Sequence, residues 1–395
     1  MQSNRFQQYL DRYLGIPLCG MLSLFCRRAR VPYTPKKILF IQLSALGDTI
    51  LAVPMIRAIR HTFPNAEFTM LASPTNLNYL ANCPYIDKHI SFRMPMYRLF
   101  ALLRREQFDW AIDLEHWPRL SALLAYISGA PVRIGFQTKG QHRHFLFRET
   151  VPHIQGRHEV RNFLDLATQL ECPTQEFTLE AWCGPAARTW VREVLVQEQV
   201  SPDIPFVVLH PEAGRRGEPR RRWPQARYVA LADTLIARYG VQIVLTGAPD
   251  EVNVSEEIAA RTKHRTVVLA GRTDVNQLAA LFSDAALVVS GNCGPMHLAA
   301  ATGTPVIGLH GPTNTVQWGP WNRDAGVVGS ALPCSPCLNL GFEYGCQALS
   351  DGTSPCMHTI EVTAVLQECD RFLASDQPSA FSSQQSENEA SQKCQ

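Results

Sequence analysis

No apolar run in this 395-residue chain is long enough to cross a bilayer. The longest, Tyr13 to Cys26, is about 14 residues and is interrupted by Gly15, Pro17 and Gly20, against the roughly 20 that a spanning helix needs. No transmembrane helix is expected. Charge of one sign is also scarce: 37 Lys and Arg stand against 35 Asp and Glu, a net charge of +2, which excludes a global attraction to nucleic acid. Any electrostatic specialisation is therefore local. Paired cysteines are few as well. Most of the 12 cysteines are scattered singly and no cleavable signal peptide is evident, so a reducing cytoplasm is expected rather than a disulfide scaffold.

What is present is ample apolar material, 46% of the residues against 18% charged, in a length that suits two cores rather than one. From Lys37 the chain reads strand, turn, helix, strand: the apolar run Ile38–Ile41, the turn Ser44–Asp48, helical spacing from Ile50 to His61, then Ala66 to Ala72. The same order recurs after Pro205, with Phe206–Leu209 as strand, Ala226 to Tyr239 as helix and Val241 to Leu245 as strand. Short, fully apolar strands alternating with amphipathic helices predict parallel sheets covered on both faces, an α/β chain of two doubly wound halves. The expected boundaries are 36–195 and 196–374. The final stretch, 375–395, is rich in Ser, Gln and Glu and is expected to be disordered, because it has little to bury.

Residues 1–35 carry five arginines (Arg5, Arg12, Arg27, Arg28, Arg30) against Asp11 alone, together with Leu10, Leu14, Leu18, Met21, Leu22, Leu24 and Phe25. An apolar stripe flanked by arginines suits a helix lying in a lipid headgroup region. A helix packed on the protein's own core is the other reading.

In doubly wound sheets ligands bind at the carboxyl ends of strands, and the unusual residues lie there. Asp48 stands at the start of the first helix, where an aspartate either accepts a proton from an attacking hydroxyl or caps the helix. Ser290-Gly291-Asn292-Cys293-Gly294-Pro295-Met296-His297 follows the strand Ala286–Val289 and opens a helix whose free amides suit a phosphate. His297 sits one turn in, as a phosphate partner or as a structural histidine. Arg220-Arg221-Arg222-Trp223-Pro224 offers guanidinium groups for a diphosphate, or a solvated surface run. Gly247 and Glu251 end another strand, and Glu251 suits a ribose hydroxyl or an ordinary first helical turn. Cys334, Cys337, Cys346 and Cys356 are either a structural zinc site or unliganded thiols.

Together, Leu43-Ser44-Ala45-Leu46-Gly47-Asp48, Arg221-Arg222-Trp223-Pro224, Gly294 to Pro305 and Gly311-Pro312-Thr313, four pieces in order, resemble glycosyltransferase family 9, the ADP-heptose:lipopolysaccharide heptosyltransferases, over about Lys37 to Leu373. The resemblance implies a GT-B fold, two Rossmann-like domains facing a cleft, with acceptor on the first and nucleotide sugar on the second. It implies an inverting displacement that requires no metal or other cofactor, with Asp48 as general base. It places Ala213, Arg221, Arg222, Gly247, Glu251 and Thr273 on the donor side, with Asn292, Cys293, Gly294 and His297. Ser44, Gly47, Arg143 and His144 fall on the acceptor side, the last two in a basic patch with His142, Lys139 and Arg148 that meets an anionic lipid-linked glycan or is simply a solvated loop. The final helix, Thr363 to Leu373, is expected to pack back towards the first domain.

Two departures stand out. Asn292 replaces a carboxylate expected against the donor sugar, and Arg221 replaces a lysine, which keeps the charge and changes its shape. The partners implied are a nucleotide-sugar donor, a lipid-linked glycan and the inner-membrane surface, with the protein peripheral on its cytoplasmic face. A sugar-nucleotide epimerase of the same fold and a non-catalytic nucleotide-sugar binder remain alternatives. All of these need the turn at Asp48 and the helix entrance at Gly294 to face one another across a crevice.

Overall fold

In a computed structural model of the chain the described residues are 11–25, 34–43, 45–212, 219–338 and 343–374. The first sheet comprises β1 (Lys37–Gln42), β2 (Glu67–Ala72), β3 (Lys88–Ser91), β4 (Trp110–Asp113), β5 (Val132–Gln137) and β6 (Glu149–Pro152), in the order β3-β2-β1-β4-β5-β6. The second comprises β7 (Phe206–His210), β8 (Gln242–Leu245), β9 (Val267–Val268), β10 (Leu287–Gly291), β11 (Val306–His310) and β12 (Ala325–Gly329), in the order β12-β11-β10-β7-β8-β9. Every pairing is parallel. Both sheets thus repeat one doubly wound order, and in each the order reverses beside its first strand, between β1 and β4 and between β7 and β10. Those two switch points are where a ligand crevice opens in such folds.

The alternation along β1 explains why its run is apolar throughout. Ile38 and Phe40 enter one core cluster and Leu39 and Ile41 another, on the opposite face. The first of these clusters also contains Phe206, Val208, Val244 and Val288, so one apolar layer runs continuously from the first sheet into the second. Packing of the helices Leu46–Leu51 and Gly294–Ala301, and of Pro185–Gln197 on Val275–Asp284, carries it across. The helical stretch expected from Ile50 is two helices, Leu46–Leu51 and Val53–Thr62. Pro54 lies in the first turn of the second, where its missing N–H costs nothing.

One expectation changes. The last helix, Val362–Leu373, does not return to the first half: Val365 and Cys369 join the core cluster of the second sheet, and Arg238 pairs with Asp370. A boundary at 195 falls inside helix Pro185–Gln197, whose partner Val275–Asp284 lies in the second half.

Helix Gly15–Ser23 packs on the protein's own fold, the second reading of its segment. Cys19 is buried, Asp11 accepts hydrogen bonds from the Arg119 backbone and guanidinium at 2.8 and 2.6 Å, and the helix packs on Arg143–Leu146. Its other side leaves Leu14, Leu18, Met21, Leu24 and Phe25 exposed. Arg5, Arg27, Arg28, Arg30 and the 375–395 tail lie outside the described residues. No helix among the described residues is long and apolar enough to cross a membrane.

Candidate active site

The loop after β1 places Asp48 in the first turn of helix Leu46–Leu51. The N-cap is Ala45, held at φ 62°, a left-handed conformation that disfavours a residue with a Cβ. Asp48 is therefore not the cap. Among the described residues nothing hydrogen-bonds its carboxylate, which remains partly exposed. Surrounding protein removes much of its hydration, and Glu115 and Glu159 add like charge, so its pKa stands well above 3.8 despite the opposing pull of Arg221. A half-exposed carboxylate with raised proton affinity is suited to take a proton from a bound hydroxyl.

The helix Gly294–Ala301 opens directly opposite. A methyl group on Gly47 would sit 2.8 Å from Cδ2 of His297, and one on Gly294 would sit 3.1 Å from Cβ of Leu46. Glycine at both positions is what lets the two helix starts approach. The Asp48 turn and the Gly294 entrance thus meet as anticipated, but in close packing of Gly47 on His297 and of Gly294 on Leu46 rather than across a crevice. His297 is buried and its pKa is lowered to about 3, by desolvation first and then by His158 and His310. It is a neutral imidazole at pH 7 and brings no positive charge to a phosphate.

Around this contact the other anticipated residues divide. Arg221 is near enough for its charge to act on Asp48, Cys293 and His310. Arg222 is ion-paired with buried Glu212, whose pKa burial raises to about 7 against the opposing Arg222 charge. A pocket of about 310 Å³ opens at the same end of β7, lined by Glu212, Arg222, Trp223, Gln225, Arg261 and Asp351. Asn292 donates from Nδ2 to the Trp318 carbonyl at 2.9 Å, so part of its amide serves the protein itself. Cys293 lies 3.3 Å from the Ser290 hydroxyl, with its thiol pushed up to about 11 by burial. Glu251 accepts from the Ala248 amide at 2.7 Å, beside Gly247. Thr273 precedes Asp274, whose carboxylate caps helix Val275–Asp284. Ser44 and Ala213 lie outside the described residues.

Arg143 is a correction. It is 0% exposed and its guanidinium is ion-paired with Asp113 and donates to the Ser121 hydroxyl at 2.9 Å, so it belongs to the interior of the first half and to no surface patch. The reason is that Asp113 ends β4 inside the fold and requires a cation there. His144 is half-buried, its pKa lowered by desolvation and by His142. The four cysteines lie close enough for Cys334, Cys337 and Cys346 to raise the Cys356 pKa, after burial, to about 11.

Sequence reading passed over Glu115, His116, His153 and Glu159. Glu115 and His116 directly follow β4, and His153 follows β6, so the strand-end rule that flagged Asp48 applies to them equally. Glu159 accepts from Gln317 in the second half, and the His158 ring donates to the Gly319 carbonyl at 3.0 Å. Asn276 donates to the Asn78 carbonyl at 2.6 Å. Polar bonds thus flank the apolar layer joining the halves.

Similarity to known proteins gives the family and the fold. The profile of glycosyltransferase family 9 (heptosyltransferase) matches residues 96–347. Lipopolysaccharide heptosyltransferase 3 of Escherichia coli is 27% identical over 295 residues, 70% of this chain and 84% of that protein. Lipooligosaccharide heptosyltransferase 2 of Haemophilus ducreyi is 28% identical over 318 residues, 74% of this chain and 88% of that protein. Among solved structures, a family 9 glycosyl transferase from Veillonella parvula superposes with a TM-score of 0.72 at 20% identity, covering 88% and 99% of the two chains. The E. coli ADP-heptose lipopolysaccharide heptosyltransferase II does so at 0.68 and 24%, covering 85% and 98%; both likenesses give the GT-B fold. With its two facing doubly wound halves and a family profile spanning more than half its length, the chain belongs to glycosyltransferase family 9 and is a glycosyltransferase.

Proposed function

We propose that this enzyme transfers heptose from ADP-heptose to a hydroxyl of a lipid-linked lipopolysaccharide core, with inversion and without a catalytic metal, using Asp48 as the general base. The observation that carries the reading is the contact of Gly47 with His297, which sets a carboxylate of raised proton affinity beside an amide-rich helix start. The relatives named above as lipopolysaccharide heptosyltransferases support the donor and the acceptor class.

Asp48 takes the proton from the acceptor hydroxyl as its oxygen attacks the anomeric carbon. The bond from that carbon to the diphosphate breaks with its electron pair on the leaving oxygen. Developing negative charge there is met by the free amides and positive dipole end of helix Gly294–Ala301 and by the Arg221 guanidinium. The neutral His297 contributes a hydrogen bond or shape rather than charge. The exposed apolar side of helix Gly15–Ser23 supports docking at the membrane surface where a lipid-linked acceptor resides.

Asp48→Ala is expected to abolish transfer while ADP-heptose affinity, read by calorimetry, stays nearly unchanged. Full transfer activity in that variant refutes the assignment. Donor binding by the wild type with no turnover on any acceptor supports a non-catalytic binder instead. The configuration of the product at its anomeric centre, read by NMR, tests inversion.

A further inference from the structure

Three side chains from separate elements converge in the first half, where it meets the second. His116 follows β4, His153 follows β6, and Glu159 opens helix Glu159–Gln169. One ligand atom from each lies within 4.8 Å of the other two, and among the described residues this is the one group of three or more His, Cys, Asp or Glu side chains so arranged. The side chains of His153 and Glu159 are 0% exposed, and His116 as a residue is 2% exposed.

The cluster has the marks of a ligand set rather than of a completed hydrogen-bond network. Nδ1 of His116 and Nδ1 of His153 are both buried without a hydrogen-bond partner, which in an interior is costly unless something else fills that role. The two imidazoles are stacked in parallel with centroids 4.7 Å apart, so neither satisfies the other's ring nitrogens. Glu159, by contrast, is fixed: Nε2 of His153 lies 3.0 Å away, Asn162 donates to it at 3.1 Å, and Gln317 donates from the second half. Asn162 and Gln317, which are not among the three, are outer partners of the kind that orient a ligating carboxylate in metal sites. Asp48 and Glu115 add further carboxylates nearby, and a cation would offset their mutual repulsion.

We propose that His116, His153 and Glu159 bind a divalent transition-metal ion of the zinc class, at a site separate from the four cysteines. Imidazole with one carboxylate suits such ions better than Mg²⁺ or Ca²⁺, which take oxygen ligands. Zinc bonds of about 2.0–2.2 Å require the three ligand atoms to draw closer than the present 4.8 Å limit. In the bound state the two imidazoles ligate as neutral rings and Glu159 as an anion. Three protein ligands leave a fourth position for water. Because Glu159 is also held by Gln317, the ion braces the strand-end loops of the first half where they meet the second.

The test uses the full chain, stripped with a chelator and then titrated with Zn²⁺ or Co²⁺. Metal content, Co²⁺ absorption and melting temperature are read for the wild type, Cys334→Ser/Cys337→Ser, His153→Ala and His153→Gln. The Gln variant retains a hydrogen-bond donor for Glu159 should the Ala variant fail to fold. The expected result is a Co²⁺ complex with visible ligand-field bands and no thiolate charge-transfer band, retained in the cysteine variant and lost in His153→Gln. Zn²⁺ should raise the melting temperature of the wild type and leave that of His153→Gln unmoved. Asn162→Ala, which frees the carboxylate without removing a ligand, should weaken binding about 10–100-fold. No uptake by the stripped wild type, undiminished uptake by His153→Gln, or a spectrum made only of thiolate bands that vanish in the cysteine variant overturns the proposal. Each readout is independent of transfer activity.

Discussion

Asp48 illustrates how one side chain is tuned at some cost to the fold. Its carboxyl stands well above 3.8 because burial, then Glu115 and Glu159, resist its charge. Below 3.8 the folded and unfolded chains both hold the proton and no penalty arises. As pH rises past 3.8 the unfolded chain ionises freely while the folded chain resists, so stability is lost through that window up to the raised value. Asp48→Asn has no such dependence. Its melting temperature relative to wild type should therefore climb as pH rises above 3.8, while the acid limb of wild-type kcat/KM lies above the ordinary carboxylate range. A constant difference across that pH span argues against the raised carboxyl. Arg143 behaves differently, since its charge is matched. Arg143→Ala leaves Asp113 buried and unpaired, which should cost about 3–5 kcal/mol in chemical denaturation, far more than loss of a surface arginine would.

Among elements, the decisive contact is between the short helix Leu46–Leu51 and helix Gly294–Ala301. Gly47→Ala drives a methyl to within 2.8 Å of the His297 ring, and because His297 is 3% exposed the ring has little room to yield. Overpacking of this kind costs about 1–3 kcal/mol. On the role proposed for Asp48, the same shift moves its carboxylate away from helix Gly294–Ala301, so kcat should fall more than the melting temperature alone suggests. Gly47→Ala with unchanged kcat and unchanged stability would show that the two helix starts do not need this closeness. The helix Val362–Leu373, in turn, is an element whose amphipathic pattern was plain but whose partner was not. Its apolar face buries Val365 and Cys369 on the second sheet, and an apolar stripe carries no information about which of two similar sheets it will cover.

For the whole molecule, one apolar layer continues from sheet to sheet while bonds such as Glu159 to Gln317 and Asn276 to Asn78 join the halves at its edges. On the first half, helix Gly15–Ser23 carries Met21 at 54% exposure, with Leu24 at 82% and Phe25 at 68% just beyond its end. Exposed apolar groups in a row signal an interaction surface. Met21→Asp/Leu24→Asp should therefore reduce co-sedimentation with vesicles containing anionic lipid several-fold and leave transfer to a soluble, delipidated acceptor intact. Equal sedimentation of the variant and the wild type excludes this helix as the membrane contact.

The doubly wound architecture was legible in the sequence, and so were the two turns, at Asp48 and at Gly294, that the fold brings into contact. Apolar runs such as Ile38–Ile41 and Phe206–Leu209 report strands buried on both faces, and glycine-rich turns at their carboxyl ends report where a ligand approaches. These are local signals, set by side-chain period and backbone freedom within a few residues. Tertiary structure alone decided that Arg143 is interior, since that depends on Asp113 arriving from another strand, and that the last helix joins the second half. It also decided that His116, His153 and Glu159 meet. They come from different loops, and no pattern within a single segment relates residues that only the winding of the sheet brings together.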